Sequence, residues 1–107
     1  MFTRIVEITA KQGKTKEVAD AIRGKVLPIL KKQPGFVDEI VLVSTAEANQ
    51  ILGMSFWKTP ADAELYRLDH YPEVHELLRP LLETTPKVNT FEVDISTAHK
   101  VALEKAA

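Results

Sequence analysis

Apolar positions along this chain change period several times, and each change marks an element. From Phe2 to Ala10, Ile5, Val6 and Ile8 stand among Thr3 and Thr9, a β-branched composition that predicts a strand ending at the Gly13 turn. From Lys14 to about Lys32, Val18, Ile22, Val26 and Ile29 recur three or four residues apart, which predicts a helix. Pro28 falls inside that pattern and should loosen its last turn, because it removes one backbone donor and crowds the preceding carbonyl. Pro34-Gly35 stops it. Phe36–Val43 and Gln50–Trp57 read as two strands joined by the polar stretch Ser44–Asn49, a hairpin with a long loop. Thr59-Pro60-Ala61-Asp62 then opens a helix, with Thr59 as N-cap, Pro60 in the first position and Asp62 three residues after the cap. Ala61, Leu65 and Leu68 are its expected apolar stripe. A second helical segment starts at Pro72 and turns Val74, Leu77, Leu78 and Leu81 inward, with Pro80 and Pro86 bracketing its end. Lys87–Ile95 is the fourth expected strand, and Thr97–Ala107 is a polar, alanine-rich tail, read as a short helix or a frayed end.

The order is β-α-β-β-α(α)-β. Right-handed crossovers from the first strand to the second, and from the third to the fourth, make this an α+β, ferredoxin-like split βαβ sheet spanning residues 1–96, with 97–107 as a tail. The strands are apolar on both faces. In the second, Phe36, Ile40 and Leu42 share one side and Val37, Val41 and Val43 the other; in the third, Ile51 and Trp57 alternate with Leu52, Met54 and Phe56. Strands of that kind belong to sheets covered on both sides. The helices cover one face, and nothing else in 107 residues is left for the other, so the pattern predicts a symmetric homodimer packed sheet against sheet. Arg4 and Glu7 fall on opposite faces of the first strand, and each is expected at an edge of that interface, where charge would set register.

Composition narrows the classes of partner. Fourteen basic against fifteen acidic residues provide no basic excess for a phosphate backbone, so nucleic acid is not an expected partner. With no cysteine, the chain has no disulfide, thiolate metal site or cysteine nucleophile, which fits a reducing cytoplasm. No apolar run nears the roughly 20 residues needed to span a bilayer, and the N-terminus lacks the pattern of a signal peptide. A cytoplasmic protein is expected. Phosphate loops, G-x-S-x-G elbows and dinucleotide fingerprints are absent.

Gln33-Pro34-Gly35-Phe36 before the second strand, and Ser55-Phe56-Trp57-Lys58 running into the capped helix Thr59–Tyr66, resemble the antibiotic biosynthesis monooxygenase superfamily of dimeric α/β barrels. The resemblance covers Met1 to about Ile95. It implies two sheets packed as a dimeric barrel, and a pocket between sheet and helices. It includes cofactor-independent monooxygenases that oxidise phenolic or quinol-like substrates, heme-degrading enzymes and small-molecule isomerases. In the heme-degrading branch an asparagine, a tryptophan and a histidine form the site; the matching positions here are Val6, Tyr66 and His75, so two of the three are missing and heme degradation is disfavoured. No cofactor is expected.

The residues that carry chemistry gather in Gln50–Arg79, which holds the tryptophan, both tyrosines and two of three histidines. His75 lies at the edge of the stripe of Val74, Leu78 and Leu81, where an imidazole can point into a cleft and accept a phenolic proton; the bland alternative is a surface histidine bonded to a neighbour such as Arg79. Trp57 and Tyr66 are the candidates to position an aromatic ring, with Met54 and Phe56 as minor lining residues. Core or interface packing explains Trp57, Met54 and Phe56 as well, and Tyr66 is either an exposed side chain or a rim donor. His70 is expected to face solvent at a helix end, and His99 lies in the tail without an expected role. His70 and His75 are five residues apart across a proline, which does not place two imidazoles on one helical face, so no metal site is expected. Two readings follow: a monooxygenase with His75 as base, or a ligand-binding or structural dimer without catalysis, with heme binding a distant third.

Overall fold

The computed structural model describes residues 1–101. Four strands, β1 (Phe2–Thr9), β2 (Phe36–Val43), β3 (Gln50–Trp57) and β4 (Lys87–Glu92), form one antiparallel sheet in the order β2-β3-β1-β4. That is the ferredoxin-like arrangement expected from the element order. The register places Phe2, Arg4, Val6 and Ile8 of β1 beside Trp57, Ser55, Gly53 and Ile51 of β3, all on the face that the helices cover. Burial follows this alternation along β3, where Ile51, Gly53, Ser55 and Trp57 are buried and Gln50, Leu52, Met54 and Phe56 only half so.

The β2 register differs from simple alternation. A bulge between Phe36 and Asp38 lets Phe36 pair with Trp57 while Asp38 pairs with Phe56. The extra residue moves Phe36 to the helix side, with Glu39, Val41 and Val43, and leaves Ile40 and Leu42 on the outer side. Strict period-two reading had grouped Phe36 with Ile40 and Leu42. β4 ends at Glu92 rather than Ile95, because β1 begins at Phe2, opposite Glu92, and offers no strand beyond it.

The first helical stretch is in three parts: α1 (Thr15–Ala21), a π-helical turn (Ile22–Val26) and α2 (Leu27–Lys31). Pro28 cannot donate to the carbonyl four residues back, and the turn in front of it widens. The widening has a packing consequence. Val18, Ile22, Val26 and Leu30 are spaced by four, which in an α-helix drifts by about 40° per step. The wide turn takes up the drift, so all four are buried and Leu30, rather than Ile29, ends the stripe.

In α3 (Pro60–Asp69) the capping prediction holds: the Asp62 N–H donates to Thr59 Oγ1 at 3.1 Å. The stripe prediction does not. Ala63 and Tyr66 are buried, whereas Ala61, Leu65 and Leu68 are exposed. The helix is rotated to lay the Tyr66 ring on the Trp57 indole, centroids 5.1 Å apart at 28°. In α4 (Tyr71–Leu78) Val74 and Leu78 are buried, Leu77 is largely exposed, and the 3-10 turn Arg79–Leu81 leads to buried Leu82. That exit is tied to the end of β1 by Lys11 N–H to Leu81 O and Glu83 N–H to Thr9 O, both 2.8 Å. The tail lies partly within the described residues. His99 Nε2 meets Asp38 Oδ2 at 2.9 Å, and its ring lies 6.3 Å from that of Phe56, on the outer side of the sheet. A helix or fray over residues 102–107 lies outside the described residues.

Gly35 is where the β2 entry meets the start of α3. Its φ of +77° lies in the left-handed region, and a Cβ there would run into the Asp62 side chain. Gly35→Ala is therefore expected to destabilise the fold by about 2 kcal/mol, from backbone strain and from a displaced cap. Urea unfolding checks this, and an unchanged midpoint would contradict it.

Candidate functional site

Between the sheet and the helices lies a cavity of about 40 Å³. Its walls are mainly apolar, built from Val6 and Ile8 of β1, Ile22, Val26 and Leu30 of the first helical stretch, and Val74, Leu78 and Leu82 at the other side. Six polar or ionisable side chains converge on it: Arg4 and Ser55 from the central strands, Glu39 from β2, Tyr66 from α3, and Tyr71 and His75 from α4. Some 40 Å³ admits water or dioxygen, but an aromatic ring needs on the order of 150 Å³. A ring therefore enters only if wall side chains move.

Arg4 dominates the electrostatics. It sits on the inner face of β1, 3% exposed, with its guanidinium 4.6 Å from the Tyr71 ring centroid and 5.5 Å from that of Tyr66. These cation–π contacts compensate part of its lost hydration. Burial lowers its pKa, opposed by the two tyrosines, but a guanidinium stays charged at any physiological pH. Among the described residues it has no ion pair and no side-chain hydrogen bond. Glu39 is the complementary group. Its carboxylate lies over Gly53, where a Cβ would approach Oε2 to 3.4 Å. Burial, then the adjacent Asp38, push its pKa up to about 7, with Arg4 pulling the other way. Burial also raises both tyrosines, with Arg4 opposing, so they remain neutral donors.

His75 is half-buried at the cavity's edge, its ring 6.4 Å from that of Tyr71. On its other side it lines an open depression with Lys11, Arg79, Leu82, Glu83, Thr84 and Thr85, so the imidazole stands between cavity and solvent. Arg79 is held by Glu76 at 2.9 Å rather than by His75. His70 lies at the α3–α4 junction with Nδ1 3.1 Å from Glu73 Oε1. Trp57 is fully buried outside the cavity lining, its indole N–H donating to Ser55 Oγ at 2.9 Å and Phe36 meeting it edge-on at 5.6 Å. Met54 and Phe56 face the outer side of the sheet.

Of the five residues expected at the site, the fold brings Tyr66 and His75 together at the cavity and places Trp57, Met54 and Phe56 elsewhere. The sequence pattern assigns Arg4 to an edge of the sheet–sheet interface, whereas it is buried on the inner face at the cavity, and it singles out neither Glu39 nor Tyr71. Arg4 alternates in phase with Val6 and Ile8, which was the available signal that its side chain points inward. Glu39 had no such signal, since the bulge sets its phase. No group of three or more potential metal ligands occurs among the described residues, and no helix among them is long and apolar enough to cross a membrane.

Comparisons with known proteins bear on this site. A family model described as antibiotic biosynthesis monooxygenase matches residues 1–77. No curated protein matches the sequence significantly. Several solved structures share the fold. A Streptomyces coelicolor monooxygenase in complex with nanaomycin D is 19% identical, with a TM-score of 0.74 over 84% of each chain. A cofactor-independent oxygenase from Streptomyces nogalater is 18% identical, with a TM-score of 0.73 over 92% of this chain and 97% of that one. MhuD, solved with two manganese protoporphyrin IX molecules per active site, is 16% identical, with a TM-score of 0.76 over 91% of this chain and 98% of that one.

Glu39 generates a stability prediction. Its carboxyl binds a proton more tightly folded (about 7) than at its ordinary 4.5, so stability is full below about pH 4.5 and falls as pH rises to 7. The loss is on the order of 3 kcal/mol. Glu39→Gln is expected to be more stable than wild type at pH 8, with the advantage vanishing near pH 4. Urea titrations at the two pH values measure it, and equal pH dependence in both proteins would refute the assignment.

Proposed function

This chain belongs to the antibiotic biosynthesis monooxygenase family, and from that premise we propose that it is a cofactor-independent monooxygenase of an aromatic, quinol-type substrate, working as a homodimer with His75 as base. The observation that carries the reading is the apolar cavity on which Arg4, Glu39, Tyr66, Tyr71 and His75 converge. Ligand sites combine apolar walls with a few convergent polar groups. The two Streptomyces oxygenases of the same fold support the reaction class.

In this mechanism a phenolic substrate enters past His75, parting it from Tyr71. The imidazole accepts the hydroxyl proton, and the substrate anion supplies the first electron to dioxygen. Tyr66, held flat on Trp57, forms the floor against which the ring is positioned. Trp57 acts through Tyr66. Oxygen uptake with a panel of hydroquinones and anthrones tests the activity. His75→Ala is expected to reduce kcat by about 100-fold or more, and unchanged turnover in that variant would remove His75 as the base.

The outer face of the sheet supports the dimer. Ile40 is 40% exposed, Leu42 46% and Phe91 53%, on a face shared with Leu52, Met54 and Phe56. A second copy of the chain covers this face and uses Met54 and Phe56 as interface residues. Sedimentation is expected to give a dimer for wild type and a monomer for Met54→Glu. A monomeric wild type would exclude the arrangement.

The cavity volume favours a second reading, a dimer that binds a small ligand without turnover. Under that reading no quinol supports oxygen uptake, although ligands still bind. Heme binding is third: Val6, Tyr66 and His75 all line the cavity, and a Soret shift on hemin titration would bring it forward.

A further inference from the structure

The cavity contains two opposite charges that do not neutralise each other. Arg4 projects from β1 and Glu39 from β2, both toward the cavity, and no ion pair joins them. Arg4 is 3% exposed and its five N–H donors have no acceptor among the described side chains. A guanidinium buried in that state favours any oxyanion that reaches it. The Glu39 carboxylate likewise has no side-chain donor among the described residues, and it lies over Gly53, where the missing side chain leaves it room. An oxygen atom placed between the two groups would meet a donor fork on one side and a proton acceptor on the other.

We propose that Arg4 and Glu39 form an acid–base element that ionises a phenol or enol: Glu39 takes the hydroxyl proton and Arg4 holds the resulting oxyanion. The inference rests on the reading of this cavity as a site for phenolic substrates, and it gives the hydroxyl that reaches the sheet its own proton acceptor, Glu39, while His75 serves a hydroxyl at the mouth. The ligand O–H bond breaks, an O–H bond forms at a Glu39 carboxyl oxygen, and the negative charge passes to the ligand oxygen beside Arg4. No oxidant or reductant is needed for this step.

The surroundings suit that exchange. Glu39 at about 7 is ionised in part near neutrality, so it can both accept and release a proton. Asp38, next to it in sequence, points to the outer face and to His99. From β3 the facing residues are Gly53 and Ser55, both uncharged; α2 presents Leu30 to the cavity and keeps Lys31 exposed. From α3 and α4 the titratable groups facing the cavity are Tyr66, Tyr71 and His75, with Glu73 further out; on the other side of Arg4 stand Glu64 and Arg67 of α3, which are bonded to each other. Both tyrosine hydroxyls are pushed up by burial and stay neutral, so neither competes for the charge.

Binding of 4-nitrophenol, whose phenolate alone absorbs in the visible range and which ionises near neutrality, tests the pair without turnover. The bound complex carries one proton, on Glu39, beside a phenolate. Below pH 6 wild type is expected to bind with release of a proton and appearance of colour, and affinity rises about tenfold per pH unit. Above pH 8 binding takes up a proton, and affinity falls about tenfold per unit. Glu39→Gln keeps the low-pH rise and loses the high-pH fall. Arg4→Met loses the colour at pH 6. Arg4→Lys, which retains charge and bulk, separates a lost site from a lost fold: it keeps the colour with affinity about tenfold weaker. An unaltered high-pH fall in Glu39→Gln, a neutral bound phenol at pH 6 in wild type, or no binding at all would overturn the proposal. Phenolate binding of the expected form without oxygen uptake from any quinol would retire the monooxygenase reading and leave the pair standing. Oxygen uptake with the same pH profile in Glu39→Gln would do the reverse.

Discussion

A guanidinium buried on the inner face of the central strand is the constraint around which the site is arranged. Arg4 lies between sheet and helices with 3% of its surface exposed, where an uncompensated charge would cost several kcal/mol. The fold answers with two aromatic faces, one from α3 and one from α4, and with a carboxylate held across the cavity instead of in contact. The consequence reaches Glu39, Tyr66 and Tyr71, whose proton affinities are all shifted by burial against the pull of Arg4.

The aromatic faces are held in turn by the fold around them. Tyr66 rests on Trp57, which contributes about 1 kcal/mol beyond burial. Trp57 is fixed by its N–H on Ser55 and by Phe36 at its edge. Phe36 reaches it only because the bulge at the start of β2 turns that residue inward, and the same bulge brings Glu39 to the cavity. The capped start of α3 packs against Gly35 immediately before this strand. Thus a short stretch, Gly35 to Glu39, sets both the floor of the site and its acidic member.

The two sides of the sheet do different work. The inner side carries the core and the cavity. The outer side is apolar yet covered over only part of its area, by His99 on Asp38 and Phe56. Membership in the antibiotic biosynthesis monooxygenase family therefore goes together, in this chain, with a cavity built from its own sheet and helices and an outer sheet face that leaves Ile40, Leu42 and Phe91 exposed.

Element order, strand positions, the Thr59 cap and the two-faced apolar strands could be read from the residues alone, because each rests on local periodicity or on a side chain bonding its own backbone. Membership of the fold was legible for the same reason, in Gln33–Phe36 and Ser55–Lys58, and so was the place of His75 at a stripe edge. Three features required the folded chain. Leu65 and Leu68 are the largest aliphatic side chains of α3, yet both face outward, because helix rotation is set by what the opposing sheet offers, here the Trp57 indole. The phase of β2 depends on a bulge, whose position is a property of pairing with β3 and leaves no mark in strand composition. The ionisable pair of the cavity joins residue 4 to residue 39, two positions with no local relation, placed on one face of the sheet on either side of Ser55 only by the order of the strands.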